Sequence, residues 1–293
     1  MQVLGPLPRT VAAPVPVGLP PPAVWNGRIA APDPALLEPS RSFPLSTLPR
    51  VAADGSLPRL VYRRPESAPA GRPRVALLLA GLGLSAADAR AAIESLPGSV
   101  TLAFSAYTPN ADALVETARA RGHEFLASLP MESDGFPMND AGPRSLLTGA
   151  TPGANRENLE WALSRIQGYV GVTAASDGFR GERFAAQTST FALMMDEIGR
   201  RGLLYVDPRP GAPPPRTAGR SVDLVIDDPA TRADIEAKLA ALERIARERG
   251  SAMGLAGRPQ AMTVEKIAAW IRGLEARGID IVPISALVGE ASP

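Results

Sequence analysis

The sequence predicts a parallel α/β fold, closed or nearly closed into a barrel of seven or eight strands. Three observations lead there. From Arg74 onward, short apolar runs alternate with stretches of helical periodicity. The first run, Val75-Ala76-Leu77-Leu78-Leu79-Ala80, is apolar on both faces and stops at a glycine, as a buried parallel strand does. Roughly seven or eight such runs follow one another, each returned by a helix-like segment. A barrel accommodates that number most economically, and an open, doubly wound sheet is the competing arrangement.

The elements follow in order. Ser85, with Asp88 three residues on, has the pattern of a helix N-cap, opening a helix that runs toward Leu96. A strand over Val100–Phe104 precedes a helix at Ala111–Arg121, stopped by Gly122. The strand Glu124–Leu129 leads into a long loop, Pro130–Pro152, then a helix near Asn155–Ile166 and a strand at Tyr169–Val172. The second half repeats the rhythm with a helix at Thr190–Arg201, a strand at Leu203–Val206 and another at Val222–Ile226. Asp228-Pro229 then reads as the cap and first turn of the clearest helix, in which Ile235, Leu239, Leu242 and Ala246 recur on one face up to Gly250. Strand Ala252–Ala256, helix Val264–Ala276 and strand Ile279–Ile284 complete the set.

Composition narrows the function. Lys and Arg total 31 against 30 acidic residues, a balance that gives no electrostatic footprint for nucleic acid. No segment reaches the roughly 18–20 apolar residues of a membrane span. Residues Met1–Val24 lack the basic start and proline-poor apolar stretch of a signal peptide. Cysteine is absent and histidine occurs once, which excludes disulfides, thiolate nucleophiles and any site needing two imidazoles from one chain. About half of the 31 prolines precede Val75, so residues 1–73 read as a largely disordered Pro-rich spacer, mobile before about Phe43. Within it, Phe43–Tyr62 forms a lead-in segment that packs on the domain, which spans residues 74–289.

An ordered set of phrases carries a resemblance. Leu82-Gly83-Leu84-Ser85 follows the first strand, and Val100-Thr101-Leu102-Ala103-Phe104, Gly122-His123-Glu124 and Leu129-Pro130-Met131-Glu132 come next. Asn139-Asp140-Ala141-Gly142-Pro143, Gly168-Tyr169-Val170-Gly171-Val172, Asp207 with Arg209, and Val282-Pro283-Ile284-Ser285 follow at the same spacing. Together they resemble the divergent polysaccharide deacetylases, a branch of the NodB-like carbohydrate esterases. The resemblance implies a deformed (β/α) barrel of about seven strands, a periplasmic or extracytoplasmic location behind a Pro-rich tether, and hydrolysis of amide C–N bonds with a divalent metal such as zinc.

The departures fall on the metal ligands. Where the family has two aspartates after the first strand, Ala80-Gly81 stand here. Its histidine before Leu-Pro-Met-Glu is Ser128, its Asn-His loop is Thr173-Ala174-Ala175-Ser176-Asp177, and its Gly-His-Pro is Gly257-Arg258-Pro259. Metal-dependent deacetylation needs an ion to polarise the carbonyl and acidify a water, so losing every ligand together removes the site. The expectation is therefore no cofactor, with Ser128, Glu132, Asp177, Asp207, Arg209 and Arg258 as candidate cleft residues and the catalytic residues unassigned. His123, at the N-terminal end of its strand, reads as structural, since barrel sites are built at the opposite ends. Asp207 and Arg209 read either as cleft residues or as a local i,i+2 ion pair. Three functions remain open. The first is a pseudoenzyme whose cleft holds a cell-envelope glycan or an envelope protein. The second is a hydrolase rebuilt on Glu132, Asp177 or Asp207, and the third is an envelope scaffold.

Overall fold

A computed structural model describes residues 26–66 and 71–289. A short hairpin, β1 (Leu37–Pro39) and β2 (Thr47–Pro49), and one helical turn, α1 (Pro58–Val61), precede the main body. The body runs β3 (Arg74–Leu82), α2 (Ala86–Ser95), β4 (Thr101–Ser105), α3 (Ala111–Ala120), β5 (Phe125–Ser128), α4 (Pro152–Leu163) and β6 (Gly171–Thr173). It continues with α5 (Glu182–Ala186), α6 (Thr188–Arg200), β7 (Leu204–Asp207), β8 (Gly219–Ser221), β9 (Leu224–Val225), α7 (Arg232–Arg249), β10 (Ser251–Ala256), α8 (Ala261–Arg272) and β11 (Asp280–Ile281).

Every pairing in the large sheet is parallel, in the order β8-β7-β6-β5-β4-β3-β10-β9, with β11 also on β3. The strand expected at Val222–Ile226 is instead two short strands, and these form the two ends of that order. Only Val222-Asp223 separates them. Val222 N–H donates to Asp207 O on one side, and Asp223 N–H donates to Met253 O on the other. One continuous segment thus bridges the sheet's edges, and the sheet curls round on itself. No edge is left to be blunted along this seam.

Period-two alternation sorts the side chains into an inside and an outside. Ala76, Leu78, Ala80, Ala103, Leu126, Val206 and Leu255 pack together as an interior free of any flanking helix. Their neighbours Leu77, Leu79, Leu102, Phe125 and Tyr205 pack outward on Ile93, Leu114, Ile198 and Leu239 of the helices. Ser85 accepts the Asp88 N–H and caps α2 as expected. The expectation fails for α7. Its cap is Thr231, whose hydroxyl accepts the Asp234 N–H, and Asp228 lies three residues earlier, where its carboxylate pairs with Arg180 at 3.1 Å. Thr231 competes better because its β-region backbone and short side chain meet the Asp234 N–H directly.

The N-terminal part of the expected spacer, residues 1–25, lies outside the described residues. Residues 26–42, expected to be mobile, instead pack on the body. Ile29 and Leu36 are buried in the interior cluster beside Tyr62, whose hydroxyl accepts the Asp33 N–H. Single apolar side chains docked one at a time replace the periodic face that an autonomous helix or strand would need. The lead-in Phe43–Tyr62 continues this contact through Leu48 and Ala52.

Beneath the barrel, the Glu124 carboxylate is fully buried and accepts four hydrogen bonds. They come from Thr101 Oγ1 (3.0 Å), Arg64 N (3.1 Å), Ser285 N (2.9 Å) and Ser285 Oγ (2.5 Å). Burial still pushes its pKa above the usual carboxylate range, against these donors. Next to it, His123 is buried with Nδ1 2.8 Å from Val100 O and Nε2 3.3 Å from Ile93 O, and the single N–H of a neutral ring donates to one of these two carbonyls. Glu124→Ala should cost about 3–5 kcal/mol, because several buried donors lose their acceptor at once. Glu124→Gln should cost less, about 1–3 kcal/mol, since one carbonyl oxygen remains while the NH₂ meets other donors. Urea midpoints of the two variants check the order, and equal losses would contradict it.

Burial also lowers the His123 pKa, so the folded state prefers the neutral ring. Its contribution is complete above the unfolded-state value of about 6.5 and is lost as pH falls below it, where only the unfolded chain takes up the proton. Hence the stability advantage of wild type over His123→Gln should shrink between pH 7.5 and 5.5. Urea unfolding at each pH reads this difference, and an advantage that grows on acidification would reverse the assignment.

Candidate functional site

The C-terminal strand ends meet at one mouth, as parallel registers require. Ser105 lies opposite Ser128, Ser128 opposite Thr173, and Thr173 opposite Val206, while Ala256 lies opposite Leu79. Ala80, Ser105, Ser128 and Thr173 share the inward face of their strands, and all four are sealed from solvent. Ser105 Oγ accepts the Tyr107 N–H and Thr173 Oγ1 accepts the Ala175 N–H. The Ser128 hydroxyl is buried without a partner.

Three glycines form the seal. Gly81 sits at φ +73°, and a Cβ there would stand 2.9 Å from Gly257 O and 3.3 Å from Pro259 Cδ. A Cβ on Gly257 would in turn stand 3.3 Å from Gly178 Cα. Backbone from β3, from the loop after β6 and from the end of β10 therefore closes over the interior. Close approach of main chain to main chain is what glycine permits and other residues obstruct.

Beside this seal, a cavity of about 150 Å³ opens between the loop after β6 and the ends of β9 and β10. Phe179, Arg180, Asp227, Asp228, Arg258 and Gln260 line it. Asp227 Oδ1 accepts the Gly257 N–H (2.8 Å) and Oδ2 accepts the Arg258 N–H (3.0 Å), so this carboxylate shapes the turn that carries Arg258. Burial pushes its pKa up, against the two backbone donors. The Arg258 Nε lies 3.3 Å from Asp177 Oδ1 and 3.2 Å from Asp177 O. Both side chains are about half exposed, so water screens the pair and it holds the loops only lightly. Asp177 adopts φ +48°, a left-handed conformation that Asp tolerates better than most residues.

The six residues singled out in the sequence do not gather at one place. Arg258 lines the cavity and Asp177 pairs with it. Ser128 lies in the sealed interior below. Asp207 is buried and takes Arg209 Nε at 2.9 Å and Nη2 at 2.7 Å, a local fork between i and i+2. It shares the outward face of Tyr205, and Arg209 lies over the Phe191 ring of α6. Glu132 is buried in the long loop, where it accepts the Thr148 N–H and pairs with Arg183 Nε at 2.9 Å. Phe179, Arg180 and Asp228 also line the cavity, although the sequence does not single them out as site residues. Arg180 and Phe179 carry no motif, and Asp228 reads as a helix cap.

The model of the divergent polysaccharide deacetylase family matches residues 77–288. This chain belongs to that family. An uncharacterized protein from Agrobacterium tumefaciens C58 has a similar solved structure, at 36% identity and a TM-score of 0.77. That match covers 83% of this chain and 100% of the other. The catalytic domain of a peptidoglycan N-acetylglucosamine deacetylase from Eubacterium rectale ATCC 33656 matches at 12% identity and a TM-score of 0.44, over 78% of this chain and 94% of that one. No curated protein matches.

The family typically uses a metal, and the residues present here do not fit one. By the resemblance, the family's aspartate positions are Ala80 and Gly81, and the second has no room for a side chain. By the same resemblance, its imidazole positions hold Ser128, a loop without histidine and Arg258, a cation. Among the described residues, no group of three His, Cys, Asp or Glu side chains is placed to hold an ion. Restoring the missing carboxylate should therefore damage the fold. Gly81→Asp is expected to cost about 1–3 kcal/mol from left-handed backbone and the Gly257 contact. Thermal unfolding of the variant provides the check. A Gly81→Asp protein as stable as wild type would mean that the mouth is more open than described.

Proposed function

We propose that this deacetylase-family chain is a pseudoenzyme that binds a cell-envelope glycan at the barrel mouth and performs no metal-dependent deacetylation. The observation that carries this reading is the glycine closure at Gly81, Gly178 and Gly257 over positions that have lost every ligand type. An amide hydrolase needs an electrophile for the developing oxyanion, a role worth several kcal/mol. Here the inward-facing strand ends at the mouth offer, among the described residues, the hydroxyls of Ser105, Ser128 and Thr173, behind a sealed backbone.

The open cavity suits recognition better than chemistry. Phe179 offers an apolar ring, and Arg180, Asp228, Arg258 and Gln260 offer planar hydrogen-bonding groups around it. A few convergent polar groups beside an aromatic surface are what a polar, ring-shaped ligand requires. Placement outside the cytoplasm belongs to the same proposal and rests on the family alone. No helix among the described residues is long and apolar enough to cross a membrane.

A half-buried carboxylate favours a second reading. Asp227 has a raised pKa and stands in a cavity wall, the setting of a general acid. A rebuilt hydrolase would depend on it.

Purified protein should carry no stoichiometric divalent metal by elemental analysis and should leave N-acetylated chito-oligosaccharides and peptidoglycan fragments intact. The same glycans should bind, and Phe179→Ala or Arg258→Ala should weaken binding about tenfold, the loss of one charge-assisted contact or stacking surface. Measurable deacetylation abolished by Asp227→Asn would replace the pseudoenzyme with the rebuilt hydrolase. Absence of glycan binding, with an envelope protein captured instead, would support the scaffold.

A further inference from the structure

A second cavity, of about 480 Å³, lies where the β1–β2 hairpin meets α4 and α6, among elements that do not line the mouth cavity. Four arginines, Arg41, Arg156, Arg200 and Arg201, face three glutamates, Glu38, Glu160 and Glu197. All three carboxylates are engaged. Glu160 accepts Ser40 Oγ at 3.0 Å and the Ser42 N–H at 3.2 Å. Glu197 takes Arg201 Nε at 2.6 Å together with Arg200, and Glu38 takes Arg201 Nη1 at 2.9 Å. The cations are not all engaged. Arg41 and Arg156 are exposed and make no hydrogen bond or ion pair among the described residues. The cavity therefore presents two open guanidinium forks beside carboxylates that each already take at least one donor.

We propose that this cavity binds the phosphoryl group of a phosphate ester. A carboxylate has two oxygens, which a single guanidinium fork saturates. Two free forks and the rim guanidinium of Arg200 call for an anion with more oxygens and more charge, and a phosphoryl group has both. The remaining volume, bounded by Pro39, Ser42 and the buried Leu48, takes the alcohol portion of the ester. A phosphorylated sugar and a phospholipid headgroup share this chemistry. The site is independent of the mouth cavity, so neither proposal stands or falls with the other.

The full chain is titrated by calorimetry with inorganic phosphate, with glucose 1-phosphate, and with vesicles of phosphatidylglycerol in phosphatidylcholine. Acetate and glucose serve as controls. Saturable phosphate binding is expected, weakened roughly tenfold or more in R41A/R156A, since each lost fork removes a charge-assisted hydrogen bond. R41K/R156K should fall between, because charge stays while the fork is lost. Neither side chain has a partner to lose, so the melting temperature of both double variants should match wild type. Glucose 1-phosphate binding more tightly than phosphate identifies a phosphosugar, and vesicle binding that free phosphate displaces identifies a headgroup. Unchanged phosphate affinity in R41A/R156A, equal binding of acetate, or no saturable phosphate binding overturns the proposal.

Discussion

A single buried carboxylate holds the bottom of this molecule together. Glu124 is satisfied by two backbone N–H groups and two hydroxyls from three distant segments. An ionisable group buried on these terms is tolerable only if every donor is already in place. Arg64 ends the lead-in, Thr101 begins β4 and Ser285 lies in the last turn, so the lead-in and the C-terminal turn must both reach the barrel floor for Glu124 to be satisfied. Ile284 N–H donates to the same Thr101 hydroxyl that serves Glu124, which extends the network by one further link. Both segments are thus parts of the domain's closure, and they hold the strands in the register that brings their far ends level.

At those far ends the governing constraint is backbone proximity. In a barrel this narrow, a mouth can stay open only where loops are held apart by side chains. Glycine at positions 81, 178 and 257 removes those spacers, and Asp227 draws the end of β10 inward by accepting two successive N–H groups. The same glycines that let the backbones approach leave no room there for side chains directed at the interior. What remains accessible is displaced toward the β6 loop and β9, where Phe179 and Arg180 are found.

Much of this was legible in the chain because it depends on local periodicity. The apolar run of β3, the Ser85 cap, the α7 face at Ile235, Leu239 and Leu242, and the structural role of His123 follow from spacing and strand direction. The lead-in was hidden because Ile29 and Leu36 dock singly between prolines, leaving no period to detect. Strand parity could have placed Asp207, since it shares the face of Tyr205. The pairing of Asp228 with Arg180 could not be read, because 48 residues separate partners whose meeting depends on the curl of the sheet. The same holds for the arginine cavity, where Arg41 and Arg156 meet only after the hairpin has folded onto α4.

By the resemblance, Arg258 stands where the family's pattern has an imidazole, which suggests a guanidinium in place of an ion's positive charge. The contacts argue otherwise. The end of β3 carries Ala80 and Gly81, so it offers no carboxylate for a positive charge to balance. The half-buried carboxylate nearby, Asp227, accepts the backbone N–H groups of Gly257 and Arg258, and the guanidinium faces Asp177 across the cavity edge. A half-exposed arginine with one screened partner at 3.3 Å contributes little to stability. Its planar donors can exchange Asp177 for another acceptor at small cost, so the Arg258 side chain is held at the cavity rim by a weak contact and its backbone N–H by Asp227.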